Sequence, residues 1–231
     1  MTALADRLQS ARDRVAAAAR RAGRDPSDIR VVVVTKRHPV SALARVVDAG
    51  ATDLGENFVQ ELVAKQSALS EAPIQWHFIG RLQRNKVKGV VGRVALIHAV
   101  DSARLVEAIA RRAETISTVQ RILIAVNLSS EPHKTGVAPD DVEALLTQVT
   151  GLRSVRCDGL MTMPPLVQDA ELNRVHFRAL AQLRDRLARD SCKLSVLSMG
   201  TSCDFEVAVE EGATLVRLGT VILGGRPPTA V

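Results

Sequence analysis

Tyrosine is missing from this 231-residue chain altogether, and four phenylalanines and one tryptophan bring the aromatic share to only 2%. The core therefore has to be aliphatic, and a nucleic-acid surface that stacks bases on aromatic rings has nothing to be built from. Cysteine is almost as scarce. Cys157, Cys192 and Cys203 are odd in number and form no C-x-x-C pair, which argues against a disulfide framework or a zinc site and fits a reducing cytoplasm. No apolar run approaches the ~20 residues of a membrane helix, so no membrane partner is expected. Nor does a Gly-x-Gly-x-x-Gly follow the first apolar run, which removes the usual dinucleotide fingerprint.

Aliphatic residues and positive charge are plentiful. Hydrophobic residues make up 46% of the chain, and the net charge is +6. The densest basic run is Arg81, Arg84, Lys86, Lys88 and Arg93. With no aromatics between them and no zinc-finger or RNP pattern, they read as the solvated face of a helix. That charge suits small anionic ligands better than nucleic acid.

At the N-terminus, Leu4, Leu8, Ala11, Val15 and Ala18 recur at alternating four- and three-residue steps, an amphipathic helix. Asp6, Asp13 and the lack of an unbroken apolar core set it apart from targeting peptides. Gly23 and Pro26 end it. Ile29 to Lys36 follows, and its four consecutive valines mark a strand buried on both faces of a parallel sheet. Strands are then predicted at 52–55, 75–80, 95–100, 121–128, 155–161, 194–198 and 214–219, with a helical stretch before each next strand. Alternation of this kind makes either a doubly wound sheet or a (β/α)8 barrel. About eight units in ~200 residues favour the barrel. No repeat, low-complexity tract or linker divides the chain, so one domain over 1–231 is expected.

Barrels of this kind carry their chemistry at the C-terminal strand ends, where Lys36, Asn57, His77, Asn127, Ser198 and Arg217 fall. A lysine delivered as an apolar run stops has its charged form disfavoured, and a neutral amine forms a Schiff base with an aldehyde or ketone. The stretch from Leu197 to Asp204 and the triplet Leu218-Gly219-Thr220 follow the seventh and eighth strands. Small and hydroxyl residues before a helix start offer N–H groups to a phosphate, and loops at these two strands are a frequent phosphate site. Arg217, between Val216 and Leu218, can only donate hydrogen bonds. Its acceptor is either a carboxylate or, for a pyridine ligand, an unprotonated ring nitrogen. The second choice weakens the ring as an electron sink.

Taken together, the stretches VVVVTK, GENFVQE, WHFIGRLQRNK, HAVDS, VNLSSEPHKTGV, GLMTM, LSMGTSCDFEVAVEEG and VRLGTVILGGR resemble the pyridoxal phosphate homeostasis protein family, over nearly the whole chain. The resemblance implies a single barrel like the N-terminal domain of alanine racemase, with pyridoxal 5′-phosphate (PLP) held as an imine on Lys36. It places the phosphate-binding stretch on Ser198, Gly200, Thr201, Ser202, Gly219 and Thr220, and the ring-nitrogen arginine on Arg217. Asn57 and His77 match residues near the cofactor, and no metal is implied. Thr201 stands where the family usually has methionine, a change that a position contributing its backbone would tolerate.

Three activities would use Lys36 and a phosphate site. The expected one is a cytoplasmic, monomeric carrier that buffers PLP for apo-enzymes in vitamin B6 homeostasis. A racemase or another PLP enzyme is the second, and a cofactor-free Schiff-base aldolase acting on a sugar phosphate the third. The aldolase gives Arg217 no role. Racemisation needs a base on each face of the substrate carbanion, and alanine racemase uses a tyrosine opposite its lysine. This chain has none, which leaves His77 or Cys203 as substitutes. The loop 129–136 reads equally as a lid or as plain surface, and His98, His133 and His176 receive no role.

Overall fold

The structure, a computed structural model, describes residues 3–129, 135–190 and 192–225. Eight strands form a closed parallel barrel: β1 (Arg30–Val34), β2 (Asp53–Glu56), β3 (Gln75–Phe78), β4 (Leu96–Val100), β5 (Gln120–Ala125), β6 (Val155–Met161), β7 (Val196–Ser198) and β8 (Leu215–Leu218). The order is sequential, and β8 pairs with β1 through Val31↔Val216 and Val32↔Arg217. That pairing settles the choice between open sheet and barrel. The helices are α1 (Ala3–Arg21), α2 (Val40–Asp48), α3 (Val59–Ala68), α4 (Ala103–Thr115), α5 (Val142–Thr150), α6 (Arg174–Leu187), α7 (Phe205–Glu210) and α8 (Thr220–Leu223).

β1 shows why the valine run is needed. Val33 joins the large cluster between sheet and helices, whereas Val32 faces the lumen with Leu96, Ala99, Leu123, Ala125, Met161 and Leu215. Side chains alternate across a strand, so a wall buried on both sides has no place for polar alternation. The stripe predicted for α1 is buried in full and packs against α7, α8 and α2. Each large aliphatic side chain so buried contributes about 1.5–3 kcal/mol. Two arginines extend the contact: Arg7 Nε donates to the carbonyl of Ile222 at 2.7 Å, and Arg24 Nη1 to that of Val209 at 2.6 Å.

One predicted helix is different. The basic run after β3 forms a 3-10 helix over Arg84–Gly89, not a regular amphipathic helix. Gly89 closes it and Gly92, at φ 81°, follows, while Val87, Val90 and Val91 turn inward at the three- and four-residue steps that an α-helix would also show. Arg81, Arg84, Lys86, Lys88 and Arg93 are all exposed. The third and fifth strands, expected to reach residues 80 and 128, are also shorter, ending at Phe78 and Ala125. Within the loop 129–136, residues 130–134, including His133, lie outside the described residues.

Candidate functional site

Parallel pairing around the ring brings all eight C-terminal strand ends to one rim. Lys36 lies two residues past β1 and is half-buried. The backbone on both sides of it is clamped. The Thr35 N–H donates to the carbonyl of Gly55 at 3.0 Å, and its hydroxyl lies 2.5 Å from Glu56 Oε1. Its carbonyl accepts from Lys65 Nζ at 2.8 Å. On the other side, Arg37 has a left-handed φ of 62° and donates its N–H to Glu61 Oε2 at 2.8 Å.

Lys65 ties these clamps together from the wedge between β2 and α3, reaching Glu56 Oε1 at 2.6 Å and Glu61 Oε2 at 2.7 Å. Burial raises the Glu56 carboxyl above its usual value, and the bonds from Lys65 and Thr35 offset this only in part. Burial acts on Glu61 too, but the bonds from Lys65 and Arg37 outweigh it and hold that carboxyl low.

The loops after β7 and β8 meet beside this corner. Ser202 Oγ accepts from the N–H of Gly219 at 3.1 Å and of Val221 at 3.4 Å, linking the two loops. Thr201 turns away: both its N–H (2.7 Å) and its hydroxyl (2.9 Å) go to Asp204 Oδ1, while Asn173 donates to Asp204 Oδ2 at 2.9 Å. Gly200 has φ 90°, and a Cβ there would stand 2.6 Å from Ala208 Cβ and 2.9 Å from Phe205 Cα. Only glycine lets the loop press against α7 at that point. Among the described residues, the N–H groups of Ser202, Cys203 and Thr220 have no acceptor.

On β2, Asn57 follows the strand, and its Oδ1 is buried without a hydrogen-bond partner among the described residues. Gly80 allows the close approach behind it, since a Cβ there would meet Asn57 O at 2.3 Å.

Arg217 is buried inside the ring, level with the ends of β6 and β7. Its Nη1 donates to Ser198 Oγ at 2.6 Å and its Nη2 to the carbonyl of Thr162 at 3.0 Å. Both acceptors are neutral, and no carboxylate, one of the two acceptors the sequence leaves open, is among its hydrogen bonds and ion pairs with the described residues. Burial lowers the guanidinium to about 10, opposed by Asp204 at longer range, so it is still charged at neutral pH. Three of its five N–H bonds are left over.

The structure thus brings Lys36, Asn57, Ser202, Gly219 and Thr220 to one arc of the rim, with Arg217 and Ser198 beneath them. The Ser198 hydroxyl is committed to the arginine, not to the loop that follows it. His77 sits lower still: its Nε2 lies 2.9 Å from Asp53 Oδ1 at the start of β2, and its Nδ1 lies 2.9 Å from His98 Nε2. Asp53, His98 and Lys65 were not singled out from sequence. Two of the three carry a signal: a histidine in the middle of the apolar strand Leu96-Ile97-His98-Ala99-Val100, and a lysine three residues after Leu62 on the buried face of α3. Among the described residues, no group of three or more His, Cys, Asp or Glu is arranged to hold a metal. No helix of the described residues is long and apolar enough to cross a membrane.

Comparison with known proteins finds the same fold and related sequences. The family model for the alanine racemase N-terminal domain matches residues 7–227. The pyridoxal phosphate homeostasis protein of Aquifex aeolicus is 42% identical over 96% of this chain and 97% of its own length. The protein of the same name from Pseudomonas aeruginosa is 36% identical over 98% and 97%. Among solved structures, PipY of Synechococcus elongatus with PLP bound superposes with a TM-score of 0.83 at 34% identity, covering 96% of this chain and 100% of that one. A barrel of this topology, with a lysine closing β1 and an arginine inside β8, matched over almost its full length, belongs to the alanine racemase N-terminal domain family and, within it, to the pyridoxal phosphate homeostasis proteins.

Proposed function

We propose that this chain binds PLP at the rim between β7 and β2 and acts as a reversible carrier of the cofactor, not as a racemase. The observation that carries this reading is the buried Arg217, charged, held only by neutral acceptors and keeping N–H groups to spare. A pyridine nitrogen with a free lone pair is the acceptor such a group lacks. The rest of the site fits the same ligand. The N–H groups of Ser202, Cys203 and Thr220 have no acceptor among the described residues and are of the kind that hold a phosphate. The unpartnered Asn57 Oδ1 is a further polar atom available to a ligand. Bound there, the cofactor supplies an aldehyde that a primary amine captures reversibly. Lys36 supplies that amine, from backbone held on both sides by the Lys65 and Glu61 clamps. The homeostasis role of the relatives and the PLP in PipY support the same assignment.

The carrier is favoured over the racemase by where the substitute bases lie. His77 is 1% exposed and has both ring nitrogens engaged, so it cannot serve as a base above the rim. Cys203 is exposed on the loop before α7, and no tyrosine exists to oppose Lys36. The loss of one positioned base typically costs ~10²–10⁴ in rate. The expected recipients are PLP-dependent apo-enzymes.

Titration of the purified protein with PLP, followed by borohydride reduction and peptide mapping, tests the site. The expected result is one reduced adduct, on Lys36, that disappears in Lys36→Ala while the circular dichroism spectrum is retained. An unchanged adduct in that variant refutes the assignment. Chiral chromatography after incubation with L-alanine tests the carrier reading: turnover of several per second, lost in Lys36→Ala, would make the protein an enzyme.

A further inference from the structure

The lumen of the barrel holds a continuous line of polar groups from rim to base. Arg217 Nη1 meets Ser198 Oγ at 2.6 Å, Ser198 Oγ meets His98 Nδ1 at 2.9 Å, His98 Nε2 meets His77 Nδ1 at 2.9 Å, and His77 Nε2 meets Asp53 Oδ1 at 2.9 Å. All five side chains are buried. We propose that Asp53, His77 and His98 are positioning residues for Arg217, joined to it by a one-way hydrogen-bond chain that makes a carboxylate at the base the remote counter-charge of a guanidinium at the rim.

The two ends fix the direction. A guanidinium only donates and an ionised carboxylate only accepts. Ser198 Oγ therefore accepts from Arg217 and gives its own hydrogen to His98 Nδ1. His98 must then carry its proton on Nε2 and donate to His77 Nδ1, and His77 must carry its proton on Nε2 and donate to Asp53. Both rings are neutral and share one tautomer, and every ring nitrogen is used. The reverse order would require a protonated Asp53. It would also place two donors on Ser198 Oγ and leave the serine hydrogen without the acceptor it now has. Burial favours the neutral state of both imidazoles.

Arg217 needs such a partner. It has no carboxylate within hydrogen-bond reach among the described residues, and Asp204 acts on it only at longer range. Aligned hydrogen bonds in a low-dielectric interior polarise one another, so the chain delivers negative character from Asp53 to Ser198 Oγ. At its other end, Asp53 also accepts from Thr52 Oγ1 at 2.8 Å and pairs with Arg30, whose side chain is 47% exposed. An opening of about 320 Å³ at the base is lined by Arg24, Asp28, Arg30, His77 and Arg121. The guanidinium is thereby aimed, with its remaining N–H groups left for a ligand, a role that rests on the proposed cofactor site.

Nitrogen-15 NMR of the histidine side chains in the cofactor-free protein tests the chain alone. The expected result is two slowly exchanging rings, both neutral Nε2–H tautomers at pH 7. A charged ring or an Nδ1–H tautomer at either position at pH 7 overturns the proposal. Asp53→Asn, which preserves shape, then tests the coupling. It should shift the absorbance of bound PLP and weaken retention roughly 2- to 150-fold, the range for groups in one hydrogen-bond network. A folded, loaded Asp53→Asn protein with the parent's spectrum and affinity overturns it. Arg217→Gln separates the two readings. If it moves the histidine signals but leaves the PLP spectrum unchanged, the chain stands and the cofactor assignment falls.

Discussion

Two buried polar networks serve the rim, and they are built on opposite electrostatic plans. Behind the sheet, Lys65, Glu56 and Glu61 form a cluster of full charges that fixes the backbone around Lys36. Inside the ring, two neutral histidines and a serine lead from Arg217 to Asp53 with no cation touching an anion until the base. A charge cluster holds by attraction and fails when one member is removed. A neutral chain holds by direction and fails when a proton is added. Acid should therefore favour the folded state at Glu56 and disfavour it at the two histidines.

The largest effect should come from breaking the charged network. Lys65→Met strands the fully buried Glu56 without its cation, a change that typically costs about 3–5 kcal/mol. Urea unfolding at pH 7 should show this loss, and part of it should return as the pH falls, because a protonated Glu56 needs no cation. A loss under 1 kcal/mol would mean that Lys65 is dispensable to the clamp.

The neutral network should show itself through pH. His77 and His98 both have folded-state pKa values below the unfolded value, so the native protein keeps them neutral while the unfolded chain takes up protons below about pH 6.5. Their stabilisation is complete above that pH and is lost as the pH falls through it, at about 1.4 kcal/mol per pH unit for each histidine. Asp53 adds to this at lower pH. Its burial pushes the carboxyl up, but the bonds from His77 and Thr52 and the charge of Arg30 hold it low, so its contribution also disappears in acid. Glu56, raised in the folded state, gives the reverse slope. Denaturation midpoints of wild type and His98→Gln between pH 7 and 5 separate the terms. Equal slopes in the two proteins would contradict a neutral buried His98.

The smallest effect is expected outside both networks. Thr201→Met removes the hydroxyl bond to Asp204 but keeps the backbone N–H bond and the Asn173 contact, at a cost of about 0.5–1.5 kcal/mol. PLP retention should be unchanged, because neither polar group of Thr201 faces the rim. A tenfold loss in titration would place that side chain on the ligand.

The barrel was legible because its strands announce themselves: four valines in a row and Arg121 to Leu128 leave little room for another reading. Lys36 and the small-residue loops were legible for a related reason, since each stands where an apolar run stops. The basic run after β3 misled because charge spacing on an exposed surface says little about whether a turn winds as an α-helix or a 3-10 helix. His77 was placed too high. A strand-end motif fixes the residue's position along the chain, but whether its ring rises to the rim or descends into the lumen depends on a partner, Asp53, on the neighbouring strand. Lys65 reads as an ordinary helix lysine because Glu61, four residues earlier on α3, makes the usual helix pair, whereas its pairing with Glu56 of β2 crosses elements and leaves no local pattern.

The β8–β1 seam has a kinetic consequence. The proposed ligand groups come from β7 and β8 on one side and from β1 and β2 on the other, strands that are neighbours only because the ring closes. Lys36 leaves the ribosome long before Arg217 and then waits for the rest of the chain. Contacts between such distant segments are the last to repay their loop-closure entropy. A ligand held across the join acts as a clasp on that closure. At a hundredfold excess over its dissociation constant it would add about 2.7 kcal/mol to the closed form. Hydrogen exchange of β1 and β8 would slow most on loading, so the cofactor that the protein keeps in store would also help to keep the barrel shut.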